Sequence, residues 1–124
     1  MKASNSVHHN EELVLTKAIN NVSKFYSLSG KDLSRIIGIS ESGVSRINQG
    51  AKLISPHTKE GELALLLVRI YRSLNAMVGN NHEKARLWLN SQNKYFCNKP
   101  IEEMKSISGL IAVLHYLDAM RGKL

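Results

Sequence analysis

The chain is 124 residues long, enough for one domain or two very small ones. Hydrophobic residues make up 43 % of it, so a core can form, and a net charge of +7 favours a polyanionic partner. No apolar stretch approaches the roughly 20 residues of a membrane helix, the opening MKASNSVHHNEE lacks a signal peptide's apolar run, and Cys97 as the only cysteine excludes an internal disulfide, which points to a reducing cytoplasm.

The spacing of Leu15, Ala18, Ile19, Val22 and Phe25 predicts a first helix over residues 11–26. Asn10 is a plausible cap, and Glu11 and Glu12 suit the positive end of the helix dipole. His8 and His9 then fall in a flexible start, where adjacent histidines make poor metal ligands.

The most informative stretch is residues 29–50, SGKDLSRIIGISESGVSRINQG. Leu33, Ile36 and Ile37 sit at helical spacing, Ser29 can cap that helix, and Asp32 three residues later completes a capping-box pattern. Gly38 suits the left-handed exit. Ile39 plugs the turn, Ser40 can cap a second short helix that buries Val44 and Ile47, and Gly50 closes it. Two short helices around a glycine-containing turn describe a helix-turn-helix, whose second helix enters the DNA major groove. Its outward residues are Glu41, Ser42, Ser45, Arg46 and Gln49, with Arg46 able to read guanine. An ordinary helical hairpin in an all-α core is the alternative. Residues 31–59 carry five basic residues against two acidic ones, which favours DNA. Lys31, Lys52 and Lys59 are the phosphate-contact candidates; for the latter two, solvation of a loop serves equally well.

Pro56 and Gly61 punctuate the loop that follows. The strongest helical periodicity spans residues 62–78, where Leu63, Leu66, Leu67, Ile70, Leu74 and Met77 repeat at three and four, with Arg69 and Arg72 on the other face. Val68 and Tyr71 widen the apolar surface and predict burial on two sides. A short helix, HEKARLWLN, follows with Asn81 as cap. After a loop, Pro100 opens another turn, with Glu102 and Glu103 where negative charge is favoured. Residues 106–109 form a break before a last helix over residues 110–120, with Ile107, Leu110, Ile111, Leu114 and Leu117 as its buried stripe. Cys97 has no flanking metal-ligand pattern and is expected to be buried or half-buried. Strand signals are absent. The expected fold is all-α.

The second half carries a recognisable pattern: Ala85-Arg86-Leu87-Trp88-Leu89-Asn90, a loop of eight or so residues, Lys99-Pro100-Ile101, then Ser108-Gly109 before an apolar helix. This resembles the C-terminal domain of antitoxins of the Xre/MbcA/ParS type, which shows an A-R-x-W-L core, a loop, a helix-starting proline and a small-residue break. A helix-turn-helix such as that at residues 29–50 normally precedes it. The chain departs from the pattern in lacking a glycine before Pro100 and in having Ser108 where an acidic residue is common. Physically, Trp88 and Leu89 are also good core anchors.

The resemblance implies an N-terminal Xre-like helix-turn-helix bundle over 1–78 and a small helical toxin-binding domain over 79–124. It implies a homodimer that binds operator double-stranded DNA, represses its own operon, and blocks a cognate RES-domain toxin that consumes NAD. It further implies that the C-terminal end approaches the toxin's active site; here that end carries Asp118, Arg121, Lys123 and Leu124. From the residues alone this tail is a frayed terminus. A plain transcriptional repressor whose C-terminal half only dimerises is the alternative function. Catalysis has no support. The histidines at 8, 9, 57, 82 and 115 lack metal spacing such as H-E-x-x-H, there is no phosphate loop, and no acid pair is flanked by a base. No cofactor, metal or membrane partner is expected.

Overall fold

The computed structural model describes residues 2–122. Among these, seven helices follow one another: α1 (Lys2–Phe25), α2 (Gly30–Ile37), α3 (Glu41–Asn48), α4 (Lys59–Met77), α5 (His82–Asn90), α6 (Pro100–Glu103) and α7 (Ile107–Gly122). The all-α expectation holds; the nearest approach to a strand is an isolated bridge between Asn93 and Asn98.

Helix α1 begins well before Asn10, which lies inside it rather than capping it. Residues 2–9 contain neither glycine nor proline, so nothing stops the helix from propagating toward the chain start. His8 and His9 are therefore helical, and the His8 ring lies 5.1 Å from that of His57. The expected α1 stripe is inside: Leu15, Ile19 and Val22 are buried, as is Tyr26 just beyond the helix. The loop after α3 is pinned to α1 where the Ile54 N–H donates to the buried Thr16 Oγ1 at 2.8 Å.

Helix α4 is the axis of the molecule. It packs on α1, on α2 and, most extensively, on α7. Its two-sided burial is as the apolar width predicts: Ala64, Leu67, Ile70 and Leu74 are fully buried, and Leu63, Leu66, Val68, Tyr71 and Met77 are packed against the core. It starts earlier than expected because Thr58, whose hydroxyl accepts from the Gly61 N–H at 3.1 Å, caps it. Gly61 thus lies in its first turn and not in a loop.

Polar contacts join the two halves. The buried Tyr26 hydroxyl donates to Asn75 Oδ1 at 2.8 Å; burial, then the neighbouring Tyr71, pushes its pKa well above the ordinary phenol value. Arg86, the arginine of the A-R-x-W-L pattern, donates from Nη1 to the Phe25 carbonyl at 2.6 Å and so caps the end of α1. Lys105 bridges Asp32 of α2 and Glu102, each at 3.0 Å. Partial burial pushes the Asp32 carboxyl up, but hydrogen bonds from Lys105 and Ser29 outweigh it and hold its pKa below 3.8. Burial likewise pushes Lys105 down, and Asp32 and Glu102 outweigh it and hold its pKa above 10.5. The stability this pair adds is therefore present at neutral pH. It is lost as pH falls through the lowered Asp32 value or rises through the raised Lys105 value.

Several expectations for the second half need correction. The α7 stripe is Leu110, Val113, Leu114 and Leu117; Ile107 is 63 % exposed and Ile111 37 %. Leu110, Leu114 and Leu117 are common to both stripes, and periodicity does not decide which neighbour completes the face. Residues 107–109 are the first turn of α7 and not a break, because the Ser106 hydroxyl accepts from the Gly109 N–H at 3.1 Å. Cys97 is exposed, with φ of 56° in the turn closed by the bridge of Asn93 and Asn98. Trp88 is half-buried rather than central, its ring stacked on that of Tyr116 at 6.1 Å, while Leu89 and Ala85 are fully buried.

The small residue in the first turn of α7 has a steric cause. A Cβ on Gly109 would lie 1.9 Å from the Glu103 carbonyl oxygen, so α6 and α7 meet too closely for any side chain there. Gly109→Ala is expected to destabilise the protein by about 1–3 kcal/mol, the usual cost of overpacking, read as a lowered midpoint in thermal or urea denaturation. An unchanged midpoint would mean that the α6–α7 junction yields freely.

Candidate functional site

The helix-turn-helix is assembled from its caps inward. The Ser29 hydroxyl accepts from the Asp32 N–H at 2.9 Å and starts α2; Leu33, Ile36 and Ile37 are buried. Gly38 ends α2 with φ of 74°, a left-handed conformation that costs glycine little. The Ser34 hydroxyl donates to the Ile39 carbonyl, and the Ile39 side chain is half-buried in the turn. The Ser40 hydroxyl then accepts from the Gly43 N–H at 3.0 Å and starts α3. Val44 and Ile47 are buried at 2 % and 0 % exposure, and Asn20 Nδ2 of α1 donates to the Ile47 carbonyl at 3.4 Å. The second helix is thus held from beneath by apolar packing and at its end by α1.

All five outward residues named from the sequence, Glu41, Ser42, Ser45, Arg46 and Gln49, are exposed. Gln49 Nε2 reaches Ser45 Oγ at 3.5 Å, so these two share a face. Asn48 is exposed as well. Sequence reading omitted it, although its spacing of seven from Glu41 places it on that same face. Lys31 on α2 and Lys59 at the start of α4 are exposed, and Lys52 is half-buried in the loop between α3 and α4.

The electrostatics of this half are one-sided. Among the described residues, none of Lys31, Arg35, Arg46, Lys52 and Lys59 forms a salt bridge. Of the two acidic residues in the same stretch, Asp32 is engaged by Lys105, a residue of the other half. The basic charge is left facing solvent while half of the local acidic charge is neutralised.

The C-terminal candidates divide. Asp118 is half-buried and turned toward α4: it accepts from the Ser73 hydroxyl at 2.7 Å and pairs with Arg69 at 3.5 Å. Arg121 is exposed at the end of α7. Lys123 and Leu124 lie outside the described residues. Beside α7, the rings of Trp88, Tyr95, Phe96 and Tyr116 form one cluster, with Tyr95 and Tyr116 4.7 Å apart and Tyr95 69 % exposed. Among the described residues, no three His, Cys, Asp or Glu side chains come together as a metal site, and no helix is long and apolar enough to cross a membrane.

Comparison with known families follows the two halves. Residues 7–69 match the antitoxin Xre-like helix-turn-helix domain. Residues 73–123 match the antitoxin Xre/MbcA/ParS C-terminal toxin-binding domain. The chain belongs to the Xre/MbcA/ParS antitoxin family. It is accordingly an antitoxin of a toxin–antitoxin system, with a DNA-binding helix-turn-helix and a toxin-binding domain. The two matches meet between residues 69 and 73, inside α4, so the helix that both halves pack against is also where the two family domains join. A search of curated proteins returns no match.

In this antitoxin the placement of α3 depends on Ile47, which has no exposed surface. Ile47→Ala is expected to cost about 2–5 kcal/mol of stability in denaturant titrations, through lost apolar burial and a cavity beneath α3. If the unfolding midpoint stayed within error of the parent, Ile47 would not be the anchor described.

Proposed function

We propose that this antitoxin binds its own operator as a homodimer and represses its operon, while its C-terminal domain neutralises a RES-domain, NAD-consuming toxin encoded beside it. It acts by binding and not by catalysis, in the cytoplasm where operator and toxin are found. The division of labour falls at the end of α4, with 1–78 serving DNA and 79–124 serving the toxin.

The observation that carries the DNA half is the set of five basic residues without ion pairs around a polar α3 face, four of them exposed and Lys52 half-buried. Arg46, with Ser42, Ser45 and Gln49 around it, is assigned base readout, since a guanidinium bonds guanine bidentately. Lys31, Lys52 and Lys59 are assigned phosphate contact, which supplies affinity but not sequence preference. Arg46→Ala is expected to weaken operator binding by about 1–3 kcal/mol and to narrow the gap between operator and unrelated DNA. The check is a fluorescence-anisotropy titration against both, with circular dichroism confirming unchanged helix content. Equal operator affinity in parent and variant would remove Arg46 from the readout.

The toxin half rests on the family match of residues 73–123 and on the exposure of Arg121 in the last turn of α7. Asp118 serves as a positioning residue: Ser73 and Arg69 tie it to α4 and so fix the direction of the last turn. Arg121, Lys123 and Leu124 are assigned to the toxin's entrance. There a cationic side chain complements a site that holds a phosphate-bearing dinucleotide, and Leu124 adds apolar contact. A chain ending at Met120 keeps the Asp118 anchor. It is expected to lose neutralisation of the neighbouring RES-domain enzyme in a co-expression growth assay while retaining operator binding. Full protection by that truncated chain would exclude occlusion by the tail.

A further inference from the structure

Helix α7 is apolar on more sides than its neighbours cover. From Ile107 to Leu117 it carries no Lys, Arg, Asp or Glu, in a chain that is 22 % charged. A helix without a polar side is normally enclosed all round. Yet α7 packs chiefly on α4 and α6, and Leu110, Val113, Leu114 and Leu117 are the residues it buries. Ile107, Ser108, Ile111, Ala112, His115 and Ala119 are exposed. Their spacings of three and four gather them on the opposite side of the helix.

The uncovered surface continues past the helix edge. Tyr116 is four residues from Ala112 and three from Ala119, so its half-buried ring borders the exposed side. That ring lies 4.7 Å from Tyr95 and 5.3 Å from Phe96, and Tyr95 is 69 % exposed. The turn of residues 93–98 thus adds an aromatic side chain to the face. Ala112 and Ala119 let a partner approach the helix closely, and Tyr95 stands beside them as an anchor of the type that dominates binding energy.

We infer that the toxin docks on this face, on Ile111, Ala112 and Ala119 of α7 together with Tyr95, and that docking and inhibition are separate: the face supplies affinity and the last residues supply occlusion. The inference rests on the toxin reading above and gives it a surface. Three observations select the occupant. Every residue of the face lies within 73–123, the segment that matches the toxin-binding domain. None of them is Lys or Arg, and DNA is held largely by cations at its phosphates, so the occupant is not the operator. A patch depleted of charge and supplied with tyrosine has the composition of the centre of a protein interface. The face also leads along α7 to its last turn, where Arg121 is exposed, so a toxin seated there has the C-terminal end within reach.

The test is a fluorescence-anisotropy titration of the labelled full chain with the purified RES-domain enzyme encoded beside it, alongside that enzyme's consumption of NAD. Ala112→Glu and Ala112→Arg are each expected to raise the dissociation constant on the order of a hundredfold, because an apolar contact rejects charge of either sign. Tyr95→Ser is expected to raise it about tenfold. Both residues are exposed, so melting temperature and operator affinity stay those of the parent. The chain ending at Met120 keeps the face and is expected to lose inhibition without losing binding. If the parent does not bind the enzyme, the toxin reading falls and the face with it. If the parent binds and the Ala112 and Tyr95 variants bind equally well, the face is overturned and the toxin reading stands. If the chain ending at Met120 loses binding as well as inhibition, the tail is the docking element and the separation is overturned. Sedimentation equilibrium of the same samples tests the other occupant: variants that lose self-association while keeping the enzyme would assign the face to a second copy.

Discussion

One helix has to satisfy two cores. The apolar surface of α4 is too wide for a single stripe, and the structure answers by packing α1 and α2 on one part of it and α7 on another. Leu67, Ile70 and Leu74 have no exposed surface at all. At roughly 25 cal/mol per Å² of apolar area buried, a helix enclosed from both directions contributes cohesion to both halves at once. The DNA-binding and toxin-binding halves are therefore not two domains on a flexible linker. They share a spine, and the family boundary falls inside it.

Apolar packing brings the halves together, and directional contacts set their register. Arg86 caps the end of α1, Tyr26 reaches Asn75 on α4, and Lys105 reaches Asp32 on α2. Each crosses from one half to the other or to the shared helix. The arginine of the A-R-x-W-L pattern thus has a structural use in this molecule: it satisfies a carbonyl that the end of α1 leaves without a helical partner. Lys105 has a further electrostatic effect. By engaging Asp32 it offsets one of two negative charges in a stretch whose five basic residues form no salt bridge among the described residues, so the C-terminal half contributes to the field that the N-terminal half offers to DNA.

Local chemistry made much of this legible before folding. Ser29, Ser40 and Asn81 each cap the helix that their position announced, Gly38 takes the left-handed exit, and Pro100 opens α6. Val44, Ile47 and the outward face of α3 are where helical spacing put them. Capping bonds span three residues and helical periodicity spans four, so both are written in short windows of sequence. The same locality explains the misreadings. Asn10 has a side chain that can cap, but capping is an option that a continuing helix declines, and no glycine or proline compels the break. Cys97 sits in a loop whose turn depends on pairing between Asn93 and Asn98, which its own composition does not announce.

The sequence by itself determined the all-α class, the helix-turn-helix with its caps and polar outer face, the two-sided α4 and the family, because each depends on residue types at short separation. Only the tertiary structure decided how those faces are used. Ile107 and Ile111 have the right spacing for burial, yet both are exposed, because α4 meets α7 along Leu110, Val113, Leu114 and Leu117. Asp118 is turned inward by Ser73 and Arg69, residues 45 and 49 positions away. A groove between α1 and α4 joins Val14 to Leu65 across 51 positions. Contacts at such separation depend on where helices cross, and the crossing is settled by the packing of the whole core rather than by any window of the chain.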